Sequence, residues 1–250
     1  MITTRVGELE LSELVKVENL VISYDTKKKP AVDGISFSVP SGQVFGLLGS
    51  NGAGKTSTMR AIAGVMPPKS GLIEVNGYDL GDNVESDLAR TVLGYCPDTA
   101  GLIRQATTRE HIGLTLGLRN QLSAWPYALE LVKKFDLELV LDNETTGFSH
   151  GMSRRLSVLL AVLAAKKVLI LDEPFDGVDP LGVEATIDLI RTAKESGLAV
   201  IVSTHLLSLL SQVSDRVCVM IDGKFVDDTD AKDFKGDLGQ ERYASLLRAN

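Results

Sequence analysis

The sequence predicts an α/β fold with a mixed, mainly parallel sheet, an antiparallel β layer and a helical insert, and three observations support it. Short, nearly all-apolar runs at 43–48, 168–171 and 198–202 are each followed by polar residues and a helix-like stretch, the order typical of buried parallel strands. Apolar and polar residues alternate at 15–22 and 35–39, as in half-buried antiparallel strands. Between about residues 99 and 150 strand patterns disappear, which indicates helices.

The first half of the chain supplies the antiparallel layer and the first buried strand. The alternating segments Val15–Ile22 and Ile35–Val39 are predicted as sheet edges or a small β layer, and Gln43–Leu48 as a parallel strand. A helical run from Thr56 to Ala63 follows and ends at Gly64. Asn76-Gly77 then predicts a two-residue hairpin turn.

The second half supplies the insert and the rest of the sheet. Amphipathic patterns predict insert helices over Glu110–Gln121 and Tyr127–Leu141, and a further helix over Met152–Ala165. Asp222-Gly223 predicts a hairpin that joins 217–221 with 224–226. We therefore expect one domain over 1–250, with a core at about 15–98 and 152–226, the insert at about 99–151 and a short tail at 227–250.

Composition limits the classes of partner. Lys and Arg total 26 against 33 Asp and Glu, a net charge of −7, which argues against nucleic acid or anionic lipid as the main partner. Two cysteines far apart, Cys96 and Cys218, indicate neither a disulfide framework nor a zinc site and fit a reducing compartment. The first twenty residues lack signal-peptide order, and the longest apolar run, 158–165, is well short of the roughly 20 residues that cross a bilayer.

A phosphate-binding loop is predicted at the end of the first buried strand. Residues 46–56, GLLGSNGAGKT, contain the pattern G-x-x-x-x-G-K-[ST] between a strand and a helix, typical of a P-loop NTPase core. The alternative, a glycine-rich turn with an exposed lysine, explains the flanking elements less well. The glycines let backbone N–H groups face phosphate oxygens, Lys55 neutralises phosphate charge, and the Thr56 hydroxyl can hold Mg²⁺. The residues expected to contact the nucleotide here are Ser50, Asn51, Gly52, Ala53, Gly54, Lys55, Thr56 and Ser57.

Two acids follow the buried strand at 168–171. Asp172 is predicted to bind Mg²⁺ directly or through water, and Glu173 to orient and deprotonate the attacking water. A strand that ends in a solvated acidic turn is the alternative. Because the same chain contains a predicted phosphate loop, the magnesium and catalytic roles are favoured over this alternative.

With these motifs the chain resembles the nucleotide-binding subunit of ATP-binding-cassette (ABC) transporters over roughly Val15–Val226. Tyr24 stands where the family stacks an aromatic side chain on adenine, and Ser149-His150-Gly151-Met152 matches the family's signature SGGQ. Residues 176–180, DGVDP, match its D-loop, and His205 matches its switch histidine. The resemblance implies that Ser149 and Gly151 face ATP held by an opposite subunit. The His205 ring, expected next to Glu173, would suit contact with a terminal phosphate.

Each of these residues also has an ordinary structural role open to it. Tyr24 can pack at a strand end, His205 can cap a helix, and Ser149 can be the N-cap of the helix that follows, a role compatible with nucleotide contact. Their order beside the phosphate loop favours the functional roles.

The sequence departs from the family pattern at two positions. Asp98 stands where the family usually has glutamine; it can still ligate Mg²⁺, so hydrolysis is expected to be weakened or altered rather than abolished. His150 replaces the first glycine of the signature, and it either crowds the approach to the partner's nucleotide or adds a donor to phosphate.

The resemblance implies a cytoplasmic ATPase that lies at the membrane face, uses ATP and Mg²⁺, pairs with itself or a second ATPase subunit, and drives a separate membrane permease. The segments 43–57, 106–111 and 154–157 are most similar to bacterial drug and peptide exporter subunits. Two alternatives remain open: an ATP-binding regulatory partner with weak hydrolysis, and a soluble ABC ATPase with no transport role. The regulatory alternative is disfavoured because the residues expected for hydrolysis are intact, namely Lys55, Asp172, Glu173 and His205. The soluble, non-transport alternative is disfavoured because the chain is acidic and carries a single cassette.

Overall fold

The computed structural model describes residues 12–24 and 29–249, so the expectation about a signal peptide falls largely outside the described residues. Within those two ranges ten strands form two sheets. The strands are β1 (Glu13–Ile22), β2 (Val32–Pro40), β3 (Val44–Leu48), β4 (Ser70–Val75), β5 (Tyr78–Asp79), β6 (Leu93–Cys96), β7 (Val168–Asp172), β8 (Ala199–Thr204), β9 (Arg216–Ile221) and β10 (Lys224–Asp230). The α-helices are α1 (Lys55–Ile62), α2 (Asn83–Val92), α3 (Thr108–Leu118), α4 (Trp125–Lys134), α5 (His150–Ala164), α6 (Pro180–Glu195), α7 (Leu207–Val213) and α8 (Gly236–Ala249).

The larger sheet confirms the predicted parallel core. Its strand order is β10-β9-β3-β8-β7-β6, and only the β9–β10 pair is antiparallel. Alternate residues of β3 enter two different hydrophobic clusters, Val44 and Leu48 in one, Phe45 and Leu47 in the other. Because both faces of this strand are covered, its sequence is apolar throughout rather than alternating.

The smaller sheet is the expected antiparallel layer, with strand order β2-β1-β4-β5. The turn at Asn76-Gly77 joins β4 to β5, and the turn at Asp222-Gly223 joins β9 to β10, both as predicted. All four turn residues have φ between 46° and 82°, the left-handed backbone that tight hairpins need and that Asn, Asp and Gly tolerate best.

Residues 97–149 contain helices and one isolated β-bridge. α3 begins with a capping box in which the Thr107 hydroxyl accepts from the Glu110 backbone and the Glu110 carboxylate accepts from the Thr107 backbone. The predicted helix over Tyr127–Leu141 is too long, because α4 ends at Lys134. Asp136 turns with φ of 52°, which lets the chain bury both Phe135 and Leu137.

α2 and β6 lie where the sequence analysis assigned no element. β6 is only four residues long, and its sequence, LGYC, is too short to show periodicity. In the described part of the chain, no helix combines the length and the apolar character that a bilayer-spanning helix requires.

Candidate functional site

The predicted functional residues meet at one edge of the larger sheet. Strands β3, β8, β7 and β6 are consecutive neighbours and run parallel, so their carboxyl ends lie side by side. β3 leads into the loop 49–54, β8 into His205, β7 into Glu173, and β6 into Asp98. Parallel topology therefore brings together groups that are far apart in the sequence, as expected for the carboxyl edge of an α/β sheet.

A cavity of about 230 Å³ opens at this edge. Its lining residues are Tyr24, Ala31, Ser50, Asn51, Gly52, Gly54, Lys55, Thr56, Ser57, Asp98 and Glu173. Ala53, also predicted to contact nucleotide, is buried instead of lining the cavity. The cavity thus collects most of the predicted loop residues together with two of the three predicted acids.

Gly54 shapes the loop at the start of α1. It has φ of 113°, and a Cβ there would lie 2.4 Å from the carbonyl oxygen of Ala31. Gly54 is also the N-cap of α1 and supplies no side-chain cap, so the first N–H groups of the helix are left for another acceptor. A phosphate group suits such a helix end.

Lys55 lies inside the loop, with its side chain 5% exposed. Its Nζ donates to the Gly49 carbonyl at 2.7 Å and to the Ser50 carbonyl at 3.3 Å. The same nitrogen is 3.1 Å from Glu173 Oε1. The lysine charge is therefore held by protein acceptors, with which a bound phosphate would compete.

Glu173 is positioned by an unusual backbone turn directly after β7. Its φ is 48°, a left-handed conformation that a non-glycine residue adopts at a cost of about 1–3 kcal/mol. Its backbone N–H donates to the Ser203 carbonyl at 3.1 Å, which ties the turn to β8. Glu173 Oε2 lies 3.1 Å from His205 Nδ1, so the carboxylate stands between the lysine and the histidine, a contact that the sequence analysis predicted.

Asp172 is fully buried and has one unused oxygen. Oδ1 accepts a hydrogen bond from the Ser203 hydroxyl at 2.5 Å, whereas Oδ2 has no hydrogen-bond partner. Burial raises the pKa of Asp172 above its ordinary value, while the hydrogen bond from the Ser203 hydroxyl and the nearby Thr56 hydroxyl oppose that rise.

These surroundings of Asp172 fit a magnesium ion. A buried carboxylate oxygen with no partner, close to the Thr56 hydroxyl, matches the oxygen ligands that Mg²⁺ prefers. Across the described residues, no three or more His, Cys, Asp or Glu side chains cluster to hold a metal ion. Thr56 and Asp172 would therefore need oxygens from water or phosphate to complete the coordination.

Asp98, the third predicted metal ligand, already has a charged partner. Its Oδ1 accepts from Arg60 Nη2 at 3.0 Å. No role was predicted for Arg60 from the sequence, although it lies one helical turn beyond Thr56 on α1. The signal that could have found it is the extra negative charge of Asp98, which calls for a nearby cation.

The signature residues lie outside the cavity. Ser149 is the N-cap of α5 and accepts from the Met152 backbone at 3.1 Å, its ordinary structural role. His150 Nε2 is 3.1 Å from Asp176 Oδ2, and a Cβ on Gly177 would lie 2.3 Å from the histidine ring. A Cβ on Gly151 would likewise approach the Gly177 carbonyl to 2.7 Å, so the start of α5 packs closely on the loop after β7.

Arg154 joins the signature helix to the cavity, and the sequence analysis gave it no such role. Its guanidinium, 1% exposed, donates to the carbonyls of Pro97 at 2.6 Å, Asp172 at 3.3 Å, and Asp98. Arg154 lies between Ser153 and Arg155 in the polar first part of α5, so the sequence carried no signal that its guanidinium is buried. Its contacts hold the ends of β6 and β7 against α5.

Tyr24 lines the cavity beside the loop, and its hydroxyl is 3.0 Å from the Ser57 hydroxyl. The position agrees with a side chain that flanks a bound base. It also contributes to packing, because the ring contacts the hydrophobic cluster of the β layer.

Comparisons with known proteins agree with this geometry. The family described as "ABC transporter" matches residues 32–176. The lipopolysaccharide export system ATP-binding protein LptB of Haemophilus influenzae is 32% identical over 216 residues, which cover 85% of this chain and 89% of that protein. The bacitracin transport ATP-binding protein BcrA of Bacillus licheniformis is 33% identical over 226 residues, which cover 87% of this chain and 70% of that protein. The solved structure of an ATP-binding subunit of an ABC transporter superposes with a TM-score of 0.85 at 29% identity and covers 94% of this chain and 99% of that one.

Proposed function

The chain belongs to the ABC transporter family, and from that premise we propose that it is a transporter ATPase subunit whose cycle drives export through a separate membrane permease. It is an ATP-binding subunit and an ATPase. The observation that carries the proposal is the convergence of Lys55, Glu173 and His205 at the carboxyl edge of the sheet, with Asp172 buried beneath them.

In the proposed binding mode the triphosphate lies along the loop 49–54. Backbone N–H groups at the start of α1 receive phosphate oxygens, and Lys55 exchanges its contact with Glu173 for the phosphates. Tyr24 stacks beside the adenine. Thr56 and Asp172 would hold Mg²⁺, which supplies charge neutralisation on the phosphates.

Glu173 is the proposed general base. Once Lys55 turns to the phosphates, the Glu173 carboxylate keeps its contact with His205, which orients it. A carboxylate held in that way can orient the attacking water and accept its proton. His205 stands 42% exposed at the same place, available to a terminal phosphate.

Ser149 and Gly151 require a second subunit for their proposed role, since they do not line the cavity of their own chain. We propose that two ATPase subunits, either two copies of this chain or this chain with a related one, place the signature of each against the nucleotide of the other. Ser149 caps α5, so the positive end of that helix is the part presented to phosphate.

The permease is proposed to dock in a groove of about 990 Å³ between α2, α3 and α5. Its floor includes Met66, Leu93 and Leu160. In the described residues its charged lining consists of arginines, namely Arg60, Arg90 and Arg119. An amphipathic helix with acidic side chains fits such a surface, and a permease with that helix would hold the subunit at the cytoplasmic face of the membrane.

Export is proposed because LptB, one of the similar proteins, belongs to an export system, and because BcrA, which acts in bacitracin transport, matches the expected likeness to drug and peptide transporters. The cargo would be selected by the permease.

The test combines enzymology with membrane capture. The purified chain should release phosphate from MgATP, and the Glu173→Gln variant should not. The same variant, used as bait in detergent-solubilised membranes with ATP present, should retain a polytopic membrane protein. Failure of the bait to retain any polytopic membrane protein, although the purified chain hydrolyses ATP, would contradict the transporter proposal, and absence of hydrolysis in the assembled complex would contradict the catalytic one.

A further inference from the structure

An ion pair, Arg60 with Asp98, separates the phosphate cavity from the arginine-lined groove. The two side chains are 37% and 32% exposed, and Arg60 Nη2 lies 3.0 Å from Asp98 Oδ1. Asp98 lines the phosphate cavity, whereas Arg60 lines the groove. Each partner therefore faces a different space, and the pair lies at their common wall.

The charge of Asp98 matters because acids are crowded at this site. Asp98 follows β6, and Asp172 and Glu173 lie at the end of its parallel neighbour β7, and both Asp98 and Glu173 line the phosphate cavity. Lys55 compensates Glu173, and Arg60 compensates Asp98. A triphosphate adds more negative charge, so an uncompensated Asp98 would repel it.

The backbone beneath Asp98 is fixed independently of Arg60. Arg154, on α5, donates to the backbone carbonyls of Pro97 and Asp98, whereas Arg60, on α1, contacts the Asp98 side chain. Loss of the Arg60 contact would therefore release the Asp98 carboxylate without releasing its backbone. The effect of a change at Arg60 should be confined to the charge and direction of that carboxylate.

We propose that Arg60 is a positioning residue of this ATPase, which pairs with the Asp98 carboxylate at the wall of the phosphate cavity and neutralises its charge, so that an acid can occupy a place next to the triphosphate. The proposal rests on the proposed function, because it requires that a triphosphate binds in the cavity. Asp98 is then compatible with ATP binding only while Arg60 pairs with it.

The test is a double-mutant cycle read by equilibrium binding of ATP, once in EDTA and once with Mg²⁺. Arg60→Met should weaken binding of ATP in EDTA about tenfold, because it leaves an unpaired carboxylate beside the phosphates. Asp98→Gln in the Arg60→Met background should restore binding to within about twofold of wild type. Arg60→Lys, which keeps the charge, should bind ATP more tightly than Arg60→Met.

The control is Arg109→Met, which removes an exposed arginine–aspartate pair, Arg109 with Asp142, whose residues line neither cavity. It should bind ATP as the wild type does. Urea unfolding of every variant separates a folding defect from a binding defect.

Two results would overturn the inference: wild-type affinity in Arg60→Met, or equal loss in Arg60→Met and in the double variant. Failure of the wild-type chain to bind ATP, with Lys55→Ala as the reference for lost binding, would instead overturn the proposed function and this inference with it.

Discussion

Replacement of Glu173 by glutamine should tighten ATP binding while it strongly slows hydrolysis. In the structure Lys55 Nζ is 3.1 Å from Glu173 Oε1, and the two side chains are 5% and 15% exposed. The ion pair between Lys55 and Glu173 must break before Lys55 can contact a phosphate of ATP. A glutamine keeps the shape of the side chain but removes the charge that competes with the nucleotide.

The size of the effect follows from the contact that is lost. At an effective dielectric constant of about 20, two unit charges at this separation attract by about 5 kcal/mol before desolvation is subtracted. A hydrogen bond to a charged group contributes a net of about 1.5–3 kcal/mol, and the Lys55–Glu173 ion pair should contribute no more than the lower end, because Glu173 Oε1 has no hydrogen-bond partner. Lys55 keeps its contacts with the Gly49 and Ser50 carbonyls in either case, so we take the lower end. About 1.4 kcal/mol corresponds to a tenfold lower Kd.

The assay is equilibrium titration of the chain with ATP in EDTA, followed by single-turnover phosphate release with Mg²⁺ in the assembled complex. Glu173→Gln should bind ATP about tenfold more tightly and hydrolyse it about 10²- to 10⁴-fold more slowly. Glu184→Gln, the same change at an exposed position of α6, should alter neither. Unchanged ATP affinity would show that the Lys55–Glu173 pair does not compete with phosphate, and wild-type turnover would remove Glu173 from the catalytic role.

Three further predictions concern single residues. Lys55→Ala should weaken ATP binding about 10- to 100-fold in the same titration, and unchanged affinity would contradict the phosphate assignment. Arg154→Met should lower the free energy of unfolding by about 3–5 kcal/mol in urea, because the carbonyls of Pro97, Asp98 and Asp172 lose their buried donor; a loss below about 1 kcal/mol would show that these acceptors need no partner. The backbone and hydroxyl of Thr107 donate to Glu110 and lower its pKa, so this contact stabilises the fold above the ordinary glutamate pKa and is lost as pH falls through the folded value. Urea midpoints measured from about pH 6 to 3 should therefore fall less steeply for Glu110→Gln than for wild type, and parallel curves would exclude that capping contact as the cause.

The sheet could be predicted from the sequence because its central strands carry their own signal. β3, β7 and β8 are buried on both faces, so each is an apolar run with a clear end, and the loop after β3 has a motif with a physical reason for every glycine. The end of α4 gave no such signal, because Asp136 rather than glycine takes the left-handed turn.

The arginine contacts of the site could not be predicted in the same way. Arg60 and Arg154 meet Asp98 from two different helices, and that meeting depends on how α1 and α5 pack against β6. Neither contact is local in sequence. Pattern and spacing describe one element at a time, whereas these contacts depend on the relative placement of three.

The strand order also fixes when, during synthesis, this site can first exist. β3 carries the phosphate loop, yet both of its neighbours come from the last quarter of the chain, since Val44 pairs with Val200 and Phe45 with Arg216. A nascent chain that ends before β8 leaves β3 without a partner on either side and exposes two apolar strand edges. Such long sequence separations make closure of the sheet slow and leave the growing chain prone to aggregation. ATP in the cell therefore cannot stabilise a half-made subunit, and ribosome-bound chains that end near residue 195 should be protease-sensitive whether or not nucleotide is present.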